Sequence, residues 1–158
     1  MTQMPDANRP EAAAAPSLAR GDAAFEQRSS RRFGWTSLLA WASFGLLLEA
    51  AHGWKLASFV DDELAHLLLR LGHAHGVGLA LVVLAYGEAG VPLFASAGAA
   101  TRAGGLLRVA GALVPCGFAL SALGHPEGGP SIAVLLVPVG ALALLVGLGL
   151  VARAAWRG

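Results

Sequence analysis

Four apolar segments constrain this chain more than any other feature of its sequence. They cover residues 33–54, 71–86, 105–123 and 131–152. A helix needs about 20 apolar residues to cross the hydrocarbon core of a bilayer. Spanning segments of this kind must be helical, because lipid offers no hydrogen-bond partner for the backbone. The sequence therefore predicts an all-α fold, an integral membrane four-helix bundle whose short connections favour up-down-up-down topology.

Composition supports this assignment and excludes several other classes of protein. Of the 158 residues, 56% are hydrophobic and 13% are charged, whereas an ordinary soluble domain has about 25% charged residues. This deficit excludes a conventional soluble enzyme, and no basic stripe is available for binding nucleic acid. The single cysteine, Cys116, excludes a disulfide framework. We expect no enzymatic activity.

The boundaries of the first span are marked by tryptophans. Trp35 and Trp54 lie 19 residues apart, or about 28 Å along a helix, and Trp favours the two interfaces of a membrane. The preceding residues 1–32 are rich in Ala, Pro and charged residues, with little apolar periodicity. This composition predicts a mostly disordered cytoplasmic tail, followed by a transmembrane domain over residues 33–153.

The second span has an alternative start near residue 62. The acidic run Asp61-Asp62-Glu63 is typical of a helix N-terminus, and leucines at positions 64, 67, 68 and 71 form an apolar stripe. After this span, residues 87–104 are rich in Gly and Ala and contain Pro92. They predict a loose connection, with a longer second helix as the alternative.

The basic residues predict the orientation in the membrane. With the four spans placed as above, only Lys55 and Arg70 fall on one side. The other basic residues share the opposite side: Arg9, Arg20, Arg28, Arg31, Arg32, Arg102, Arg108, Arg153 and Arg157. The positive-inside rule then places both termini in the cytoplasm. Arg in place of Lys, with abundant Ala and Gly, favours a bacterial source and hence the inner membrane.

The histidines and several charged residues gather on the non-cytoplasmic side. Glu49 and His52 are three residues apart, and Arg70 follows His66 by four and precedes His73 by three, so each set shares a helix face. The sequence thus predicts a polar network at this end of the bundle: Glu49, His52, Lys55, His66, Arg70 and His73.

Three functions are compatible with this network. The first is a non-enzymatic accessory or structural subunit without a cofactor. In the second, a membrane redox protein, His52 and either His73 or His75 bind a metal or haem, since imidazole is a common ligand in bundle cores. His73 and His75 lie about 200° apart on a regular helix, so they cannot share one metal. In the third, Glu49 couples protons or cations in a small dimeric transporter.

Small residues predict where the fourth span packs. Gly140, Ala143 and Gly147 allow helices to approach closely in lipid. We expect the lipid bilayer as one partner, together with a second copy of the chain or a larger membrane complex. No nucleic-acid partner is expected.

Three short motifs, in this order, resemble those of a known family. The first span ends with Ala51-His52-Gly53-Trp54-Lys55, the second opens with Gly72-His73-Ala74-His75, and the fourth contains Val137-Pro138-Val139-Gly140. The chain is similar over residues 36–152 to a family of small four-helix integral membrane proteins of unknown function with an A-H-G-x-K signature after helix one. The resemblance implies the fold and a membrane location, but no activity. It also marks His52, Lys55 and His73 as a candidate group.

Overall fold

The protein is described by a computed structural model that covers residues 9–56, 62–123, 126 and 129–157. The four helices are α1 (Arg9–Gly53), α2 (Glu63–Ala85), α3 (Ala97–Ser121) and α4 (Leu136–Ala155). Each belongs to a helical stretch that is long and apolar enough to cross a membrane. The described residues contain no strand, and the predicted all-α class with four candidate spans is confirmed.

The structure corrects the expectation of a disordered segment before the first span. Helix α1 begins at Arg9, and Glu26 and Ser30 within it are fully buried. Residues 1–8 lie outside the described part of the chain. The sequence shows little apolar periodicity here, and two of the buried side chains in this part of α1 are polar.

The second helix begins at Glu63, close to the earlier of its two predicted starts. The Asp62 carboxylate accepts a hydrogen bond from the Ala65 backbone N–H at 2.9 Å and caps α2. Helix α2 then continues through a π-helical turn, Tyr86–Gly90, and a 3-10 turn, Val91–Leu93.

The predicted loose connection over residues 87–104 is therefore mostly helical, since α3 already begins at Ala97 with Ser96 as its N-cap. Gly87 and Gly90 of this segment allow close packing. A Cβ added at Gly90 would lie 2.5 Å from Cδ2 of Tyr86, and one added at Gly87 would lie 3.2 Å from Cβ of Ser30. A composition that usually indicates flexibility here permits a compact turn.

Sequential helices are antiparallel and approach each other at glycines. A Cβ added at Gly34 of α1 would lie 2.5 Å from Cγ of Leu84 in α2, and one added at Gly72 of α2 would lie 3.1 Å from the carbonyl oxygen of Pro115 in α3. Helix α1 contacts both α2 and α3, whereas α4 packs mainly on α3. Within the described residues α1 and α4 share no extensive contact, so the four helices do not close into a ring.

The residues predicted to pack α4 lie at its interface with α3. Gly140 and Gly147 are buried, and Ala143 is half-buried. A Cβ at Gly140 would lie 2.7 Å from Cγ2 of Val114, and one at Gly147 would lie 3.0 Å from Cδ2 of Leu107. Two glycines, seven residues apart, thus allow α4 to approach α3 closely.

The molecule has two ends with different character. The terminal end comprises the start of α1, the end of α2, the start of α3 and the end of α4. The histidine end comprises the opposite ends of the same helices, including His52 and His66. The main apolar core lies toward the terminal end and consists of Val83, Tyr86, Val91, Ala100, Ala103 and Leu107.

Candidate functional site

A pocket at the histidine end brings together four of the six residues predicted to form the polar network. Glu49 and His52 of α1 and His66 and Arg70 of α2 line a pocket of about 190 Å³, together with Leu48. The imidazole rings of His52 and His66 are stacked, with their centroids 5.7 Å apart and their planes inclined by 8°. The two helix faces predicted from spacing therefore meet.

The charged residues of this pocket lie at the surface of the protein. Glu49 and Arg70 are both exposed, and among the described residues no ion pair joins Glu49 to Arg70 or to Lys55. Exposed charges of this kind are screened by solvent and contribute little to stability. The pocket can offer hydrogen bonds to a small polar molecule, but it does not enclose one.

Lys55 does not line the pocket, and its backbone ends α1. Its φ angle is 52°, in the left-handed region. Its backbone N–H donates to the carbonyl of His52 at 3.0 Å, while that of Leu56 donates to Ala51 at 3.2 Å. These two bonds form a Schellman motif, in which glycine is the usual left-handed residue.

His73 links α1 to α2, away from the pocket. Its Nδ1 lies 2.8 Å from the carbonyl oxygen of Trp41; since a carbonyl can only accept, this bond requires the tautomer with a proton on Nδ1. The imidazole fills a notch at Gly45, where an added Cβ would overlap the ring. The Trp41 ring in turn packs over Gly76 of α2, where an added Cβ would also overlap it.

His75 lies on another face of α2, as its spacing from His73 predicts. Its Nδ1 is 2.8 Å from the carbonyl oxygen of Leu71 in its own helix. Its ring packs near Phe118 of α3, with the centroids 5.0 Å apart.

The three candidate metal ligands have different contacts: His52 stacks on His66, His73 bonds to the Trp41 carbonyl, and His75 packs near Phe118. No set of three or more His, Cys, Asp or Glu side chains that could hold a metal ion occurs in the described residues. His125 is outside those residues.

The most buried polar site lies at the terminal end and was not predicted. We call it the Glu26–Arg108 cluster, consisting of Glu26 and Ser30 of α1 and Arg108 of α3. Arg108 donates to Oε1 and Oε2 of Glu26 at 2.5 and 3.2 Å and to Oγ of Ser30 at 2.8 Å. Ser30 donates to Oε1 of Glu26 at 2.9 Å. Glu26 is fully buried, whereas the Arg108 side chain is 20% exposed.

Neighbouring residues complete this cluster. Gly104 lies one turn before Arg108, and a Cβ there would overlap the carboxylate of Glu26. The Tyr86 hydroxyl donates to the carbonyl of Ala100 at 2.5 Å. Beside them, the half-exposed pair of Arg31 and Glu88 joins α1 to the π-helical turn, with Nε and Oε1 2.9 Å apart. The part of α1 over residues 26–31 thereby contacts both α3 and the end of α2.

One sequence signal points to this cluster. Arg108 is the only charged residue in the apolar segment 105–123, and a charge in such a segment is expected to have a partner. Glu26 and Ser30 are four residues apart and share a helix face. The composition of residues 1–32 predicts disorder, and it therefore does not identify Glu26 and Ser30 as partners of Arg108.

Comparisons with known proteins gave no match among protein-family models, curated proteins or solved structures. The resemblance to the small four-helix family therefore rests on the three short motifs alone.

Proposed function

We propose that this chain is a non-enzymatic accessory or structural subunit of a membrane assembly. It would lie in the bacterial inner membrane, with both termini in the cytoplasm. The orientation is supported by the arginines: Arg28, Arg102 and Arg153 lie on three different helices at the terminal end, whereas Lys55 and Arg70 are the only Lys or Arg among the described residues of the histidine end.

One observation carries the proposal: His73 and the Glu26–Arg108 cluster make polar contacts that join one helix to another. His73 bonds to the backbone of Trp41 across α1 and α2. Arg108 bonds to Glu26 across α3 and α1. These groups do not converge on a shared cavity, as a substrate path would require. A stabilising role accounts for them without further components.

The outer faces of α1 and α4 offer contact surface for partners. Leu39 and Leu46 of α1 are 70% and 73% exposed, and Leu142 and Leu145 of α4 are 65% and 67% exposed. In a membrane these faces meet lipid and, in a larger complex or homo-oligomer, helices of a neighbouring protein. Association there depends on packing, because lipid tails are as apolar as leucine.

The structural role is tested by comparing two histidine variants of the purified chain. His73→Ala removes a hydrogen bond between helices and leaves a cavity at Gly45, whereas His75→Ala removes an exposed hydrogen bond within α2 and a ring contact with Phe118. We expect His73→Ala to cost about 1–2 kcal/mol, and the Tm to fall by roughly 2–8 °C. His75→Ala should change the Tm little. The measurement is thermal unfolding in mild detergent.

The same preparation distinguishes the two alternative functions. A Soret band or near-stoichiometric metal that disappears in His52→Ala or His73→Ala would favour the redox protein and contradict our proposal. Ion flux into proteoliposomes that is lost in Glu49→Gln, at unchanged Tm, would favour the transporter.

The accessory role is tested by the size of the particle that contains the chain. In a digitonin extract, we expect the chain to migrate well above its 16.0 kDa monomer mass. A monomer in that extract would contradict it.

A further inference from the structure

We infer that the terminal end binds the phosphate headgroup of an anionic phospholipid, in a pocket between α4 and the segment that joins α2 to α3. The pocket has a volume of about 480 Å³. Arg153 and Arg157 line it from α4 and the residues that follow, while Leu93, Phe94 and Ser96 line it from the joining segment.

The charges around this pocket suit a phosphate group. Arg153 and Arg157 are four residues apart, so both side chains project from the same side of the chain, and both are exposed. None of the residues that line the pocket is acidic. Guanidinium groups bind phosphate oxygens through paired, charge-assisted hydrogen bonds. The start of α3 at Ser96 adds the positive end of a helix dipole.

The apolar wall of the pocket indicates a lipid as the source of the phosphate. Leu93, Phe94 and Leu150 line the pocket beside the two arginines, and Leu93 remains 43% exposed. A free anion makes no use of such a wall. A phospholipid presents its phosphate and the first carbons of its acyl chains together, and this pairing matches the lining.

The position of the pocket places it at the depth of lipid headgroups. The candidate span of α4 ends at Ala155, between the two arginines, and the following Trp156 is 91% exposed. Tryptophan favours the membrane interface. Anionic lipids in the cytoplasmic leaflet attract arginines at such positions.

The test measures lipid binding to the full-length chain by native mass spectrometry in detergent. Phosphatidylglycerol and phosphatidylcholine are added at equal concentrations, and we expect phosphatidylglycerol to bind about tenfold more tightly. The double variant Arg153→Gln/Arg157→Gln should weaken phosphatidylglycerol binding roughly thirty-fold.

A matched control removes the same charge elsewhere at the terminal end. Arg28 and Arg32 are also four residues apart and exposed on α1, and they do not line the pocket. The variant Arg28→Gln/Arg32→Gln should change the affinity by less than about twofold, because distant exposed charges are screened. Equal losses in the two double variants would overturn the site.

Two further measurements separate a pocket from general surface attraction. Ala154 lines the pocket, so Ala154→Phe fills it without changing the charge and should also weaken phosphatidylglycerol binding. Undiminished binding by that variant would overturn the site. Inorganic phosphate that competes as strongly as phosphatidylglycerol would identify a free anion as the ligand and overturn the lipid assignment.

Discussion

Replacing Arg108 with Gln leaves the carboxylate of Glu26 buried without its guanidinium partner. Both carboxylate oxygens receive hydrogen bonds from Arg108, at 2.5 and 3.2 Å, and Glu26 is fully buried. Breaking a buried ion pair by removing one partner costs about 3–5 kcal/mol, because the remaining charge is uncompensated. The Arg108 side chain is 20% exposed, so we expect the lower value, about 3 kcal/mol. For a chain of 158 residues, the Tm should fall by roughly 6–12 °C.

Removing the other charge is expected to cost less. In Glu26→Gln the amide oxygen can still accept from Ser30, and the partly exposed Arg108 can turn toward solvent, so the loss should be about 1–2 kcal/mol. The double variant Glu26→Gln/Arg108→Gln buries no unpaired charge. Its destabilisation should therefore be smaller than the sum of the two single effects by about 1–2 kcal/mol.

Two assays test the prediction: one measures unfolding of the whole chain, and the other measures local opening of α1. Thermal unfolding in a single detergent gives the Tm of each variant. Trypsin cleavage after the exposed Arg28 and Arg32 reports local opening of α1, because a protease cuts the opened chain. Arg108→Gln should speed this cleavage. Arg102→Gln is the control, since Arg102 is exposed on the same helix and its replacement removes the same charge.

Three results would refute the reasoning. Arg108→Gln and Arg102→Gln could give the same Tm and the same cleavage rate, which would show that the buried pair does not hold α1. Strictly additive effects of Glu26→Gln and Arg108→Gln would show that the two residues act independently. A double variant destabilised by more than the sum of the two single effects would contradict the cost assigned to an unpaired charge.

Two neighbouring glycines and the end of α1 provide further predictions for thermal unfolding. Gly104→Ala inserts a methyl group into the buried cluster and should cost about 1–3 kcal/mol. A Cβ added at Gly105 would meet open space, so Gly105→Ala should be neutral or gain up to about 1 kcal/mol from helix propensity. Equal Tm values would contradict the close approach at Gly104. Lys55→Gly relieves a left-handed residue and should gain about 1 kcal/mol, whereas Lys55→Ala should gain nothing; a lower Tm for Lys55→Gly would refute the role of the left-handed conformation.

The number and class of the helices follow from local sequence, because hydropathy alone identifies a span. Helix α4 illustrates this: the apolar run predicts 131–152, and the structure has a 3-10 turn, Ile132–Leu135, followed by Leu136–Ala155. Helix α3 shows the limit of hydropathy. It begins at Ala97 rather than near 105, because alanine is a weak apolar residue but the strongest helix former.

The candidate site could be predicted only where it depends on one helix. Helical spacing pairs Glu49 with His52 and His66 with Arg70. Which face of α1 meets α2 depends on contacts between helices, such as that of His73 with Gly45. No pattern within a single helix contains this information.

The contact between Glu26 and Arg108 is also invisible to local sequence patterns, since the two residues are 82 positions apart. Their contact exists only once α1 and α3 have assembled in parallel.

The two polar contacts of α1 fix its length as well as its position. Glu26 bonds to Arg108 of α3, and the Trp41 carbonyl bonds to His73 of α2. The two residues lie on one uninterrupted helix, about 22 Å apart along its axis. Inserting or deleting one residue between them would turn one contact by about 100° and slide it by about 1.5 Å relative to the other. The length of segment 26–41 must therefore match the spacing of these two partners. The number of residues in it is constrained more strictly than the identity of those that face lipid.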